Sequence, residues 1–213
     1  TAAPAGRYAN ASCKYSATRR DHILASVDHS LRLMDVDKID LLLIHRPDPL
    51  MDHNETGAAL DEVIASGKVG SVGVSNFKLW DWTLLQSAMD AKLATNQIEI
   101  SLVEHQAFTN GDIAYLQERG IPPMAWSPLG GGTLFASSSA ELRAMMNEIA
   151  DETGTDIAAV AVAWLLAHPA KIMPVMGTNT IARIEKLSEA LSVNMTRERW
   201  FALYTLALGH EVP

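Results

Sequence analysis

One cysteine, Cys13, stands among 213 residues, so no internal disulfide can form and a reducing, cytoplasmic setting is expected. Nowhere does an apolar run approach the ~20 residues that a membrane span needs. Basic charge is also scarce: 17 Lys and Arg against 25 Asp and Glu leave a net charge of −8. With no basic cluster, the chain lacks the surface that binds nucleic-acid or anionic-lipid phosphates. His22 and His29 have no Cys or carboxylate set at metal-ligand spacing, which argues against zinc. No Gly-x-Gly-x-x-Gly follows a strand, which removes the Rossmann fingerprint. The opening Thr1-Ala2-Ala3-Pro4-Ala5 has neither the charged start nor the apolar segment of a signal peptide.

What is present is apolar patterning. Hydrophobic residues make up 48% of the chain, enough to bury a substantial core as one domain over residues 1–213. Thr18 is expected to cap a helix running to Met34, with Asp21 completing a capping box and Ile23, Val27, Leu31 and Met34 facing inward. The apolar run 39–45 reads as a buried strand that ends on His45 and is broken by Pro47. A helix from Glu55 to Ser66 follows, with Leu60, Val63 and Ile64 inward and Gly67 as its stop. Next come a strand over 70–74, a helix over 78–90, a strand over 94–100 and a short helix over 112–119. The second half adds a strand over 123–127, helices over 139–152 and 156–167, and a strand over 172–176. A helix near 180–190 follows it, and a last helix opens at Thr196. Strand–helix alternation implies a parallel sheet, because each crossover returns the chain to the same edge. The most economical version is a (β/α) barrel.

In such barrels the reactive groups sit where strands end. Here His45, Ser75 and Asn76, Asn96 and Gln97, Trp126 and Ser127, and Thr178 and Asn179 gather at those positions. His45 reads either as a histidine satisfied by backbone or as a proton-handling imidazole at the rim. Ser75 and Asn76 either cap the following helix or, with Gln97, bind a planar amide without charge. Trp126 suits a core position or a flat heterocycle. Gly130-Gly131-Gly132 permits close backbone approach to phosphate, or a mobile loop. Arg183 is a surface residue or a phosphate contact. Glu99 and Glu104 are the carboxylates nearest the strand ends and do not form an obvious pair, which disfavours a lyase or isomerase. Cys13 receives no role.

These residues fall in five segments: IDLLLIHRPDP (39–49), GKVGSVGVSNF (67–77), ATNQIEI (94–100), AWSPLGGG (125–132) and GTNTIARI (177–184). Together they resemble the aldo-keto reductase superfamily, in particular a bacterial branch of oxidoreductases. The resemblance implies an α/β fold of (β/α)8 TIM-barrel type, here only about strands 4 to 8, and a small-molecule aldehyde or ketone as substrate. It also implies NADP as cofactor, hydride passing directly to the carbonyl carbon. In that family a Tyr is the general acid, assisted by a Lys and an Asp, while a His orients the carbonyl. His45 matches that histidine. Ser75, Asn76 and Gln97 match the carboxamide-holding residues, and Trp126 matches the aromatic that stacks on the nicotinamide. Ser127, Leu129 and Gly131 fall in the pyrophosphate loop, and Gly177, Thr178 and Arg183 in the adenosine-phosphate segment. Gly177 stands where a Lys is frequent and Leu187 where an Asn is, which leaves Arg183 to favour NADP over NAD. The family's Asp, Tyr and Lys are expected to precede residue 1, with Tyr8, Lys14 and Tyr15 unassigned. The chain is accordingly read as the C-terminal portion of a reductase, inactive alone. The alternative is a module of the same fold that binds a nicotinamide cofactor without catalysis.

Overall fold

The computed structural model describes residues 16–212 and divides the chain into two compact units, one ending at Gln97 and the other beginning at Ile98.

In the first unit the elements are α1 (Arg20–Met34), β1 (Ile39–Ile44), α2 (His53–Ala65), β2 (Val69–Ser75), α3 (Leu79–Gln86) and the start of β3 (Asn96–Glu99). The strands are parallel. Ile39 of β1 pairs with Val69 and Ile44 with Val74, while Val74 pairs with Asn96 and Ser75 with Gln97. The helix α2 packs against α1, α3 and β2. Leu60, Val63, Val72, Val74, Phe77, Trp82 and Leu85 are all buried. Asp52 starts α2 by accepting from Asn54 N and Glu55 N, which satisfies donors that the first turn leaves unpaired.

Gly73 lies where β2 is squeezed between its neighbours. A Cβ there would stand 2.7 Å from Thr95 O and 2.8 Å from Leu43 Cδ2, so only glycine lets the strands approach this closely.

Three expectations change here. Thr18 does not cap α1: its hydroxyl donates to Asp48 Oδ2 at 3.0 Å, and the helix begins at Arg20. Of the α1 stripe, Ile23 and Val27 are buried, but Met34 is exposed at the helix end. The α3 helix stops at Gln86 rather than continuing to Asp90. The Gln86 carboxamide turns onto the following loop, donating to Ala91 O and accepting from Leu93 N. Asp61 also holds that loop, accepting from Asp90 N and Ala91 N.

The second unit takes β3 onward into α4 (Asp112–Glu118), β4 (Met124–Trp126), α5 (Thr133–Ser137), α6 (Ala140–Thr153) and α7 (Ile157–Leu166). It then runs through β5 (Met173–Pro174), α8 (Ile181–Glu185) and α9 (Arg197–Leu208). β4 and β5 are parallel, Met124 facing Met173 and Ala125 facing Pro174. α5 is unforeseen, and the helix expected to reach residue 190 is α8 followed by a 3-10 stretch over Lys186–Ser192. Thr196 caps α9 as expected, accepting from Arg199 N.

The core joins α6, α7 and α9 and is closed by an aromatic knot. Trp164 and Trp200 stack at 4.8 Å, with 10° between their planes. Each indole N–H donates to the other residue's main-chain carbonyl, at 3.1 and 3.0 Å. Both polar edges are thus satisfied inside an apolar cluster, as buried tryptophan requires. Phe108 meets both rings edge-on. No helix among the described residues is long and apolar enough to cross a membrane.

Candidate functional site

In the first unit, parallel register brings three strand ends level. His45 follows Ile44, the partner of Val74, and is exposed just beyond β1 rather than within a buried strand. Ser75 closes β2 opposite Gln97 on β3. The apolar strand interiors thus carry polar groups outward to one rim.

The rim is tied by a relay of hydrogen bonds. Asn76 Nδ2 donates to Ser75 Oγ at 3.0 Å, and Ser75 Oγ donates to Gln97 O at 2.9 Å. Gln97 O also accepts from Asn76 N at 2.9 Å. Asn76 has φ +59°, the left-handed region that non-glycine residues enter rarely, Asn more readily than most. Ser75 is therefore neither a helix cap nor idle: it fixes Asn76 against the next strand. α3 instead begins at Lys78, whose backbone N–H donates to Asp81 Oδ2 at 3.1 Å. The half-buried Gln97 side chain makes no hydrogen bond among the described residues and keeps both its amide donor and its acceptor.

The residue that sequence reasoning left without a role is Asn96. It is 4% exposed, and its Nδ2 donates to Phe77 O at 2.7 Å. Strand alternation was the available signal, since Asn96 and Gln97 must point to opposite faces and only one can line a rim.

In the second unit, Trp126 ends β4, half-buried. Val175 N bonds Ala125 O at 2.8 Å, which sets the end of β5 beside the start of the glycine loop's strand. Ser127 then turns left-handed at φ +48°, followed by Gly130, Gly131 and Gly132 at +59°, +61° and +95°. Gly130 N donates to Ser127 O and Gly132 N to Leu129 O, so the loop is a built turn rather than a loose tether. A Cβ on Gly131 or Gly132 would meet nothing within 4 Å, which leaves their backbone open to a ligand's approach. Leu129 is half-buried against the unit's core. Gly177 and Arg183 are exposed and Thr178 is half-buried, its hydroxyl accepting from Thr180 N at 3.3 Å. Burial, and then the charge of Glu104, push the Glu99 carboxyl above its ordinary value. Among the described residues no group of three or more His, Cys, Asp or Glu could hold a metal ion. Cys13, Tyr8, Lys14 and Tyr15 lie outside the described residues.

Each unit's donors fit, taken separately, one part of a nicotinamide dinucleotide. Uncharged amides and a hydroxyl suit a carboxamide, while an open glycine turn and an arginine-bearing segment suit phosphates.

Comparison with known proteins agrees with this chemistry. The family model described as the aldo/keto reductase family matches residues 9–206. A 6-dehydroglucose reductase from Agrobacterium fabrum (strain C58) is 59% identical over 99% of this chain and 71% of its own length. The crystal structure of a thermostable aldo-keto reductase with the inhibitor epalrestat has a TM-score of 0.81 at 26% identity, over 89% of this chain and 67% of that one. A second, the aldo/keto reductase of Klebsiella pneumoniae with NADP and acetate, has a TM-score of 0.76 at 25% identity, over 90% of this chain and 65% of that one. The chain belongs to the aldo/keto reductase family, whose structures support an α/β fold of TIM-barrel type and an oxidoreductase that acts on carbonyl groups.

Proposed function

We propose that this protein serves NADP-dependent reduction of an aldehyde or ketone, and that its described residues supply the cofactor site and one member of the catalytic set. The observation that carries the reading is the relay at the β2 and β3 ends, which holds Ser75, Asn76 and the Gln97 carbonyl in one hydrogen-bonded array. Asn76 and Gln97 would hold the nicotinamide carboxamide, and Trp126 would stack on its ring. Ser127, Leu129 and Gly131 would take the pyrophosphate. Gly177, Thr178 and Arg183 would take the adenosine phosphate, the Arg183 guanidinium offering a fork that matches a 2′-phosphate. When bound, the cofactor supplies hydride, while the protein supplies orientation and a proton. His45 would donate a hydrogen bond to the substrate oxygen and stabilise the negative charge that develops there.

The chain spans 71% of the Agrobacterium relative's length. We place the family's Asp, Tyr and Lys in the share of the family fold that the chain does not match. Cofactor binding and turnover are therefore tested separately. Fluorescence titration should give tighter binding of NADPH than of NADH, and Arg183→Ala should abolish that preference. Equal affinity for the two would overturn the NADP assignment. The first carbonyl to assay is 6-dehydroglucose, the substrate in the Agrobacterium relative's name. Turnover by the full-length reductase that falls on His45→Ala supports the role given to His45. NADPH binding with no turnover of any carbonyl, even with the complete barrel, would instead favour a non-catalytic cofactor-binding module.

A further inference from the structure

The turn that presents Asn76 is held from β3 at three points. Gln97 O takes two of them, from Asn76 N and Ser75 Oγ, and the third is Asn96 Nδ2 on Phe77 O. A non-glycine residue keeps a left-handed conformation only where its surroundings over-determine it. Here Asn76 is bracketed by Ser75, which is 2% exposed, and by Phe77, which is fully buried.

Asn96 is an unexpected choice for a position that is merely packed. Its Oδ1 is buried and has no hydrogen-bond partner among the described residues, so half of its polar capacity goes unused. A leucine would fill a similar volume without that orphan acceptor. The amide orientation is not free, because Phe77 O can only accept and therefore faces Nδ2. The one thing this side chain does that an apolar residue cannot is to restrain the carbonyl that follows Asn76.

We propose that Asn96 is a positioning residue for the nicotinamide end of the cofactor, acting through Phe77 O and the left-handed turn to hold the Asn76 carboxamide at its binding angle. This rests on the proposed function of the rim. Asn96 itself does not touch the ligand. Its loss should therefore weaken only that part of the affinity that comes from the nicotinamide.

The test compares two ligands on the purified chain: NADPH, and adenosine 2′,5′-bisphosphate, which carries the same adenosine end without nicotinamide. Asn96→Leu is expected to unfold in urea near the wild-type midpoint and to bind the bisphosphate as wild type does. It should bind NADPH about 10-fold more weakly, as expected for one lost charge-free restraint. Unchanged NADPH affinity, or an equal loss for both ligands, would overturn the proposal. Asn96→Asp keeps the volume and guards against a folding failure of the leucine variant. At about pH 8 its carboxylate faces the Phe77 carbonyl and NADPH binding should fall. As the pH is lowered to about 5.5 the buried carboxyl takes up a proton, donates to Phe77 O, and should recover the wild-type ratio of the two affinities. A ratio that stays flat with pH would count against the proposal. If wild type binds the two ligands equally, the rim does not hold nicotinamide, and both readings fall together.

Discussion

Replacing Gly73 with alanine tests whether the β1–β2–β3 spacing is as tight as described. The new methyl would stand 2.7 Å from Thr95 O, against an ordinary contact beginning at 3.4 Å, so that carbonyl must retreat by about 0.7 Å. Thr95 O accepts from Val74 N at 3.0 Å, and such a retreat would carry this bond beyond useful length. Leu43 Cδ2 also stands at 2.8 Å, but as the end of a side chain it can turn aside, so the backbone carbonyl of Thr95 carries the main clash. Overpacking of this kind costs about 1–3 kcal/mol, and the lost hydrogen bond adds about 1 kcal/mol. Alanine's smaller unfolded-state entropy returns about 0.4–1 kcal/mol. The net expectation is a destabilisation of about 1–3.6 kcal/mol, or a fall in Tm of roughly 2–14 °C for a chain of this size. Urea unfolding followed by far-UV circular dichroism measures it. Gly177→Ala is the control, because a Cβ there meets nothing within 4 Å and its φ is not positive. It should stay within about 0.5 kcal/mol of wild type. A Gly73→Ala protein as stable as that control would refute the steric reasoning.

Two further predictions concern pH. Burial and Glu104 raise the Glu99 carboxyl, so the folded state holds that proton more tightly than the unfolded chain does. The stability it confers is full below the unfolded value of about 4.3 and is lost as pH rises through the folded value. Glu99→Gln should accordingly be more stable than wild type at neutral pH, with the gap closing on acidification. His168 has the opposite sign: burial lowers its pKa, and its Nδ1 accepts from Ala170 N at 3.1 Å, which requires that nitrogen to be unprotonated. Wild type should lose stability as pH falls below the unfolded value of about 6.5 and on through the lowered folded value. In a urea series across that range, His168→Asn should lack this loss; parallel curves for the two proteins would refute the assignment.

Much of the fold was legible because its signals are local. Apolar runs bounded by polar turns marked β1 through β4, and Thr196 marked the start of α9. Thr18 misled because its hydroxyl found a partner 30 residues away in Asp48, which no window around the helix start contains. The end of α3 was missed in part for the same reason, since Asp61 captures the loop from about 30 residues away, while Gln86 folds onto it from close by in sequence. At the candidate site, residue types named Ser75, Asn76 and Gln97, but not the direction of the relay between them. Ser75 gives its proton to a main-chain carbonyl rather than to a ligand or a helix end, a fact set by strand register. Asn96 was legible only as a polar residue near a strand end. Its work depends on where the Phe77 carbonyl comes to lie, which is a tertiary fact.

The stacked indoles of Trp164 and Trp200 carry an implication for descent. Each ring donates to the other residue's main-chain oxygen, so the bond made by either indole needs only the partner's backbone, while the stacking needs both side chains. Replacing one tryptophan leaves the surviving indole its hydrogen bond but strips the ring from its face and removes the indole donor from its own main-chain carbonyl. A phenylalanine at either position would restore the face but not the donor. Neither codon can drift by a single step toward a residue that keeps both, and a paired exchange would have to pass through the weaker intermediate. The two positions, 36 apart in sequence, are thus locked to one another in lineages that keep this packing.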